Sequence, residues 1–108
     1  MGEVILTQAD QGKSIQVSSG EHIIVRLGEN PTTGYGWAID QINPEVVSPI
    51  GSDYAPASGS GIGGGGERTF AFTAVKAGSS QILLKLWRKW EGDKSVRQRF
   101  GVTIQVQG

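Results

Sequence analysis

V-R-Q-R-F-G-V-T-I-Q-V, residues 96–106, alternates apolar and polar side chains along most of its length. Val96, Phe100, Val102, Ile104 and Val106 fall on one face with Gln98. Arg97, Arg99, Gly101, Thr103 and Gln105 fall on the other. Successive side chains of a strand point to opposite faces, so this run is a half-buried strand with one side in a core. The same period of two recurs upstream. Ile15 and Val17 alternate with Ser14, Gln16 and Ser18; Ile23, Val25 and Leu27 with His22, Ile24 and Arg26; Phe70, Phe72 and Ala74 with Thr69, Ala71 and Thr73. No window of a dozen residues carries the i, i+3, i+4 stripe and cap of an amphipathic helix. The pattern predicts strands over 3–7, 14–19, 21–28, 35–42, 45–50, 68–75, 79–89 and 95–106, and no helix.

Short strands separated by turn signals define an all-β chain, a sandwich or small barrel. About 100 residues with this strand count suits an immunoglobulin-like antiparallel β-sandwich of seven to eight strands. Trp37, opening the middle strand, is placed at that fold's core tryptophan. With no cysteine in the chain, packing alone must replace the usual inter-sheet disulfide. The 108 residues are one domain's worth, 1–108, and enough to enclose one core.

Ten Lys+Arg balance ten Asp+Glu, so no overall field draws in nucleic acid or anionic lipid. The absence of cysteine removes disulfides, thiolate nucleophiles and thiolate metal sites together. No stretch approaches the roughly 20 apolar residues that span a bilayer, and residues 1–3 lead directly into a strand-like run without a basic or apolar leader. These features predict a soluble chain with no nucleic-acid or membrane partner, and the sandwich is expected to be a monomer. It is cytoplasmic if Met1 is the native start, and periplasmic or secreted if a signal peptide was removed.

Catalytic constellations are weak. His22, the single histidine, sits in a strand among alternating apolar residues and reads as a partly exposed strand residue. A Ser-His-Asp arrangement would need Asp40, Asp53 or Asp93 to converge on it, and no nucleophile elbow is present. The carboxylates are too scattered for a metal site. The chain is expected to be no enzyme and to need no metal or cofactor.

Three connections stand out instead. The first is N-P-T-T-G-Y-G-W, residues 30–37. The second is G-S-D-Y-A-P-A-S-G-S-G-I-G-G-G-G, residues 51–66, which runs into a strand and not into a helix, so it lacks the context of a phosphate-binding loop. It is either a flexible linker or a backbone able to approach a partner closely, no Cβ intervening. The third is W-R-K-W-E-G-D-K, residues 87–94. On an ideal strand Arg88 and Trp90 share a face with Ile82, Leu84 and Leu86, while Trp87 and Lys89 share the other. Exposed Trp and Arg are the residue types that dominate binding energy at interfaces. These connections follow the third, fifth and seventh strands, and connections of that parity can gather at one end of a sandwich.

Together the three loops resemble those of the chagasin-type inhibitors of cysteine peptidases, an immunoglobulin-like family with an N-P-T-T-G-[YF]-x-W loop, a G-x-G-G loop and an R-P-W loop in this order. Asn30, Pro31, Thr32, Thr33, Gly34, Tyr35, Gly36 and Trp37 match the first in full. Gly61, Ile62, Gly63 and Gly64 match the second, and Arg88, Lys89 and Trp90 the third. Two departures are evident. Gly65 and Gly66 lengthen the second loop, leaving open which two of Gly63 to Gly66 take the paired-glycine positions. Lys89 replaces a proline, which removes a φ restriction from the third loop.

The resemblance implies a reversible inhibitor of papain-like peptidases (clan CA, family C1) that occludes the active-site cleft with three loops, 30–37, 59–66 and 87–93. It places the Thr pair beside the catalytic Cys and His, the glycine loop (with Gly65) against the cleft backbone, and Arg88 and Trp90 along the cleft wall. The alternative is an immunoglobulin-like adhesion or ligand-binding module that uses the same loop end.

Overall fold

The computed structural model describes residues 2–56 and 65–108. It contains eight strands: β1 (Glu3–Thr7), β2 (Ser14–Ser18), β3 (His22–Glu29), β4 (Gly36–Gln41), β5 (Val47–Pro56), β6 (Gly66–Ala74), β7 (Gly78–Trp87) and β8 (Gln98–Gln107). They form two four-stranded sheets, ordered β1-β3-β6-β5 and β2-β8-β7-β4. The sandwich is mixed at two of its edges. β1 runs parallel to β3 and β2 runs parallel to β8, while the other pairs are antiparallel. The β1–β2 connection leaves one sheet and enters the other, so neither short strand can hairpin with its neighbour in sequence.

The alternation read from the sequence is what packs the sheets. Leu6, Ile23, Val25, Leu27, Val47, Phe70, Phe72 and Ala74 face Val17, Trp37, Ile82, Leu84, Phe100, Val102, Ile104 and Val106 in one buried cluster. A register slip of one residue in any strand would turn its apolar set into solvent, so this pattern also specifies the pairing. Trp37 is buried on β4, as expected of the core tryptophan.

Departures from the predicted boundaries have local causes. β5 continues to Pro56 instead of ending near 50, paired with β6 throughout and with a bulge between Pro49 and Gly51. As an edge strand with residues 49–53 exposed, it carries no alternation to read, and edges and bulges are where strand prolines are tolerated. β7 stops at Trp87 and β8 starts at Gln98. Between them the chain makes two 3₁₀ turns, Lys89–Glu91 and Asp93–Ser95. Val96 lies outside β8, and strand parity does not extend to Arg88 and Trp90: Trp90 is 72% exposed. Further 3₁₀ turns occupy Gln8–Asp10 and Pro31–Thr33.

Phe72 has no exposed surface and stacks at 6.5 Å on Phe70. Phe72→Ala should lower unfolding free energy by about 3–5 kcal/mol, lost apolar transfer and cavity together. Urea titration followed by circular dichroism checks this.

Candidate functional site

The first loop crosses from β3 in one sheet to β4 in the other. Pro31 opens its 3₁₀ turn, where a missing N–H leaves no intrahelical bond unmade. Asn30 caps it: Oδ1 accepts from Thr32 N at 3.1 Å and from Thr32 Oγ1 at 2.7 Å. Thr33 Oγ1 donates to the Asn30 carbonyl at 2.7 Å and accepts from Tyr35 N at 3.2 Å. Gly34 ends the turn with φ +81°, in the left-handed region, where a Cβ is disfavoured. Both threonine hydroxyls are spent inside the loop. What the loop presents to solvent at Thr32 and Thr33, both exposed, is a fixed pair of β-branched side chains with restricted χ1.

The third loop is locked to the first. The Arg88 guanidinium donates to the Thr33 carbonyl from Nη2 at 3.1 Å and from Nε at 3.3 Å. Its centre lies 4.4 Å from the Tyr35 ring centroid, and Arg97 lies 4.8 Å from the same ring. A Cβ added to Gly34 would approach Trp90 Cη2 to 3.0 Å, so the indole rests against the glycine that ends the first loop. Gly34 therefore serves twice, by its positive φ and by its lack of a side chain.

Within the third loop, Ser95 replaces the missing ladder. Its Oγ accepts from Arg88 N at 2.9 Å and lies 2.7 Å from the Gly92 carbonyl, holding both 3₁₀ turns together. Asp93 bonds Lys85 Nζ at 2.9 Å, and Lys85 also reaches Asp40 at 3.4 Å and the Trp87 ring at 3.6 Å. Arg99, directly across from Lys85 in β8, pairs with Asp40 at 2.9 Å. Asp40 falls in the β4 register shift and separates two like charges that would otherwise repel. The Lys85 hydrogen bond holds the Asp93 carboxyl below its ordinary value, and the same bond raises Lys85.

At the base of the loops, Glu29 ends β3 pointing inward. Its Oε1 accepts from Trp37 N at 2.8 Å, and its Oε2 pairs with Arg68 Nη2 of β6 at 2.8 Å. The Trp37 indole N–H donates to the Gly28 carbonyl at 2.8 Å. Gly65, the described foot of the second loop, lies beside Glu29 and Asn30; a Cβ there would sit 3.4 Å from the Glu29 carbonyl.

The structure thus brings Asn30, Pro31, Thr32, Thr33, Gly34, Tyr35, Arg88, Trp90 and Gly65 to one end of the sandwich, with Lys89 exposed on the third loop. Gly61, Ile62, Gly63 and Gly64 lie outside the described residues. Glu29, Arg68, Ser95 and Arg97 were not singled out in the sequence. Arg97 had the only visible signal, a cation flanking the third loop, but it read as the solvent side of a strand. His22 is exposed at the opposite end of β3, about 23 Å from the first loop at a strand's rise per residue. Among the described residues no cluster of His, Asp and Glu suits a metal ion.

Gly34→Ala should cost about 1–2 kcal/mol from positive φ alone and displace Trp90. Thermal unfolding and the Trp90 indole NMR resonance check the two effects. The Lys85–Asp93 anchor has a defined pH window. Asp93, with its folded pKa lowered, stabilises the loop fully above the usual carboxyl value of 3.8 and loses that contribution as pH falls through the lowered value. Lys85, with its folded pKa raised, contributes fully below 10.5 and loses it as pH rises past that value. The anchor should therefore hold between about pH 4 and pH 10. A carboxyl NMR titration should place the Asp93 midpoint below that of unfolded chain, and Lys85→Met should remove most of the difference, Arg99 being the smaller remaining attraction.

A model of the chagasin family of peptidase inhibitors, I42, matches residues 16–104. Chagasin of Trypanosoma cruzi is 29% identical over 105 residues, covering 94% of this chain and 96% of that one. The solved cysteine protease inhibitor EhICP2 of Entamoeba histolytica superposes with a TM-score of 0.86 at 22% identity, covering 99% and 97% of the two chains. PbICP-C, solved in complex with falcipain-2, superposes with a TM-score of 0.74 at 19% identity over 96% and 99%. The last two likenesses establish the shared fold, and the family match carries the assignment: this chain belongs to the chagasin family of cysteine peptidase inhibitors, and is an inhibitor and not an enzyme.

Proposed function

We propose that the protein inhibits papain-family cysteine peptidases by seating the Thr32–Thr33 turn in the active-site cleft, flanked by the glycine loop and by Trp90. The observation that carries this reading is the Arg88 bond to the Thr33 carbonyl, which joins two of the three loops into one preformed surface. A surface already ordered loses little entropy on docking, so more of its contact energy becomes affinity. The PbICP-C complex with falcipain-2 supports a peptidase as partner, and family membership leaves the adhesion-module alternative without support.

The same bond explains how a protein loop resists cleavage. Acyl transfer needs the scissile carbonyl aligned with the nucleophile and its oxygen free for the enzyme's oxyanion donors. Here the Thr33 oxygen already accepts two N–H groups from Arg88. The Pro31 carbonyl is closed onto Gly34 N at 3.0 Å and the Asn30 carbonyl onto Thr33 N at 3.1 Å. The turn fills the cleft without offering a substrate geometry. Arg88 thereby does its work inside the inhibitor, while exposed Trp90 is free to pack on the enzyme.

Lys89, in place of the family's proline, is held in the Lys89–Glu91 turn. That turn and Ser95 supply the constraint that the proline ring gives elsewhere.

Titration of papain should show stoichiometric, reversible loss of activity with the inhibitor recovered uncut; no inhibition at micromolar concentration by folded protein would refute the proposal. Trp90→Ala should weaken binding by about 2 kcal/mol or more, roughly thirtyfold, with an unchanged unfolding midpoint because the side chain is already exposed. Thr32→Arg should impair inhibition by steric clash at the cleft without affecting the fold, as inhibition kinetics and circular dichroism together would report.

A further inference from the structure

We infer that Glu29 is a positioning residue for peptidase binding. Its buried carboxylate ties the two ends of the first loop together and fixes them to the strand that receives the second loop. The inference rests on the inhibitory reading above and adds what sets the spacing of the loops.

Glu29 continues the inward parity of Ile23, Val25 and Leu27, a position where the core elsewhere takes an apolar side chain. Its side chain is 2% exposed, and that of its partner Arg68 28% exposed. Among the described residues it is the buried carboxylate of the molecule. Such a pair is weak evidence for stability, because desolvation offsets much of the Coulomb attraction and apolar replacements are often neutral or stabilising.

What an apolar side chain cannot supply is direction. Glu29 Oε1 accepts from Trp37 N at 2.8 Å. Trp37 belongs to β4, the edge strand of the opposite sheet, so its N–H is satisfied by this carboxylate and not by a neighbouring strand. Oε2 accepts from Arg68 Nη2 at 2.8 Å and Nε at 3.2 Å, and Arg68 stands two residues beyond Gly66, where β6 begins. One carboxylate therefore connects the last residue before the first loop, the strand after it, and the strand after the second loop. The Trp37 indole bond to the Gly28 carbonyl constrains the same crossing but does not reach β6. Removing the carboxylate frees the spacing of the first two loops while leaving the hydrophobic core intact.

The test compares wild type, the double variant Glu29→Met/Arg68→Met, and Glu29→Gln. Readouts are thermal midpoint, amide exchange at residues 30–37, and association rate and Ki against papain. The double variant should stay folded with a midpoint at or below that of wild type, because the Trp37 N–H loses its acceptor, exchange faster at Trp37, and inhibit at least tenfold more weakly, chiefly through slower association. Glu29→Gln keeps an acceptor for Trp37 N but loses the charge facing Arg68, and should fall between, about threefold weaker than wild type. A folded double variant with wild-type Ki would overturn the inference. Should the double variant not fold, folded Glu29→Gln decides alone: a threefold rise supports the inference and a wild-type Ki overturns it. Failure of wild type itself to inhibit would strike the inhibitory reading, an outcome distinct from variants that inhibit as well as wild type.

Discussion

The chain crosses from one sheet to the other between Gly28 and Trp37, and the end of the molecule that carries the first and third loops hangs from that crossing. The Trp37 indole is buried in the core, its ring N–H reaches back to the Gly28 carbonyl and its backbone N–H to Glu29. These bonds span only eight or nine residues, so the loop they enclose is short and has few conformations to lose. A sandwich without a disulfide needs some other inter-sheet restraint at its loop end. Here it is a tryptophan anchored at both its backbone and its ring.

From that crossing the constraint propagates outward by contact. The 3₁₀ turn presents the Thr33 carbonyl to Arg88, and Gly34 leaves room for Trp90. Arg88 N is held by Ser95, and the turn that contains Ser95 is fastened to the outer sheet face through Asp93 and Lys85. Each step is individually modest, since water competes for exposed hydrogen bonds and screens exposed ion pairs. Their combined effect is on order more than on stability. Loops one and three cannot move independently without breaking bonds on both sides of the interface between them.

The mixed sheets have a similar logic. Placing β1 beside β3 and β2 beside β8 as parallel edges lets both sheets gain a fourth strand from one short N-terminal segment. The Gln8–Asp10 turn between them is closed by a capping box, Thr7 and Asp10 satisfying each other's backbone groups, which suits an abrupt change of sheet. β1 ends beside Arg26 and β2 begins beside Thr103, so this connection runs along the flank of the sandwich and stops short of the ends of β3 and β7, where the first and third loops emerge.

Much of this was legible in the amino-acid order. Period-two burial in residues 22–27, 69–74 and 100–106 depends only on side chains alternating across a strand, so the sandwich and its core could be read directly. The turn chemistry of Asn30, Pro31 and Gly34 is equally local. Tertiary structure decided what depends on residues far apart in sequence. Strand parity pointed Arg88 and Trp90 toward the core, but Ser95 and the two 3₁₀ turns end β7 early and carry them onto the first loop instead. Nothing in the sequence distinguishes Glu29; only the approach of Arg68 and of the Trp37 amide makes its burial tolerable. Local periodicity fixes which face a side chain takes, whereas the partner that satisfies a buried charge or a free carbonyl comes from another strand, and no spacing along the chain records it.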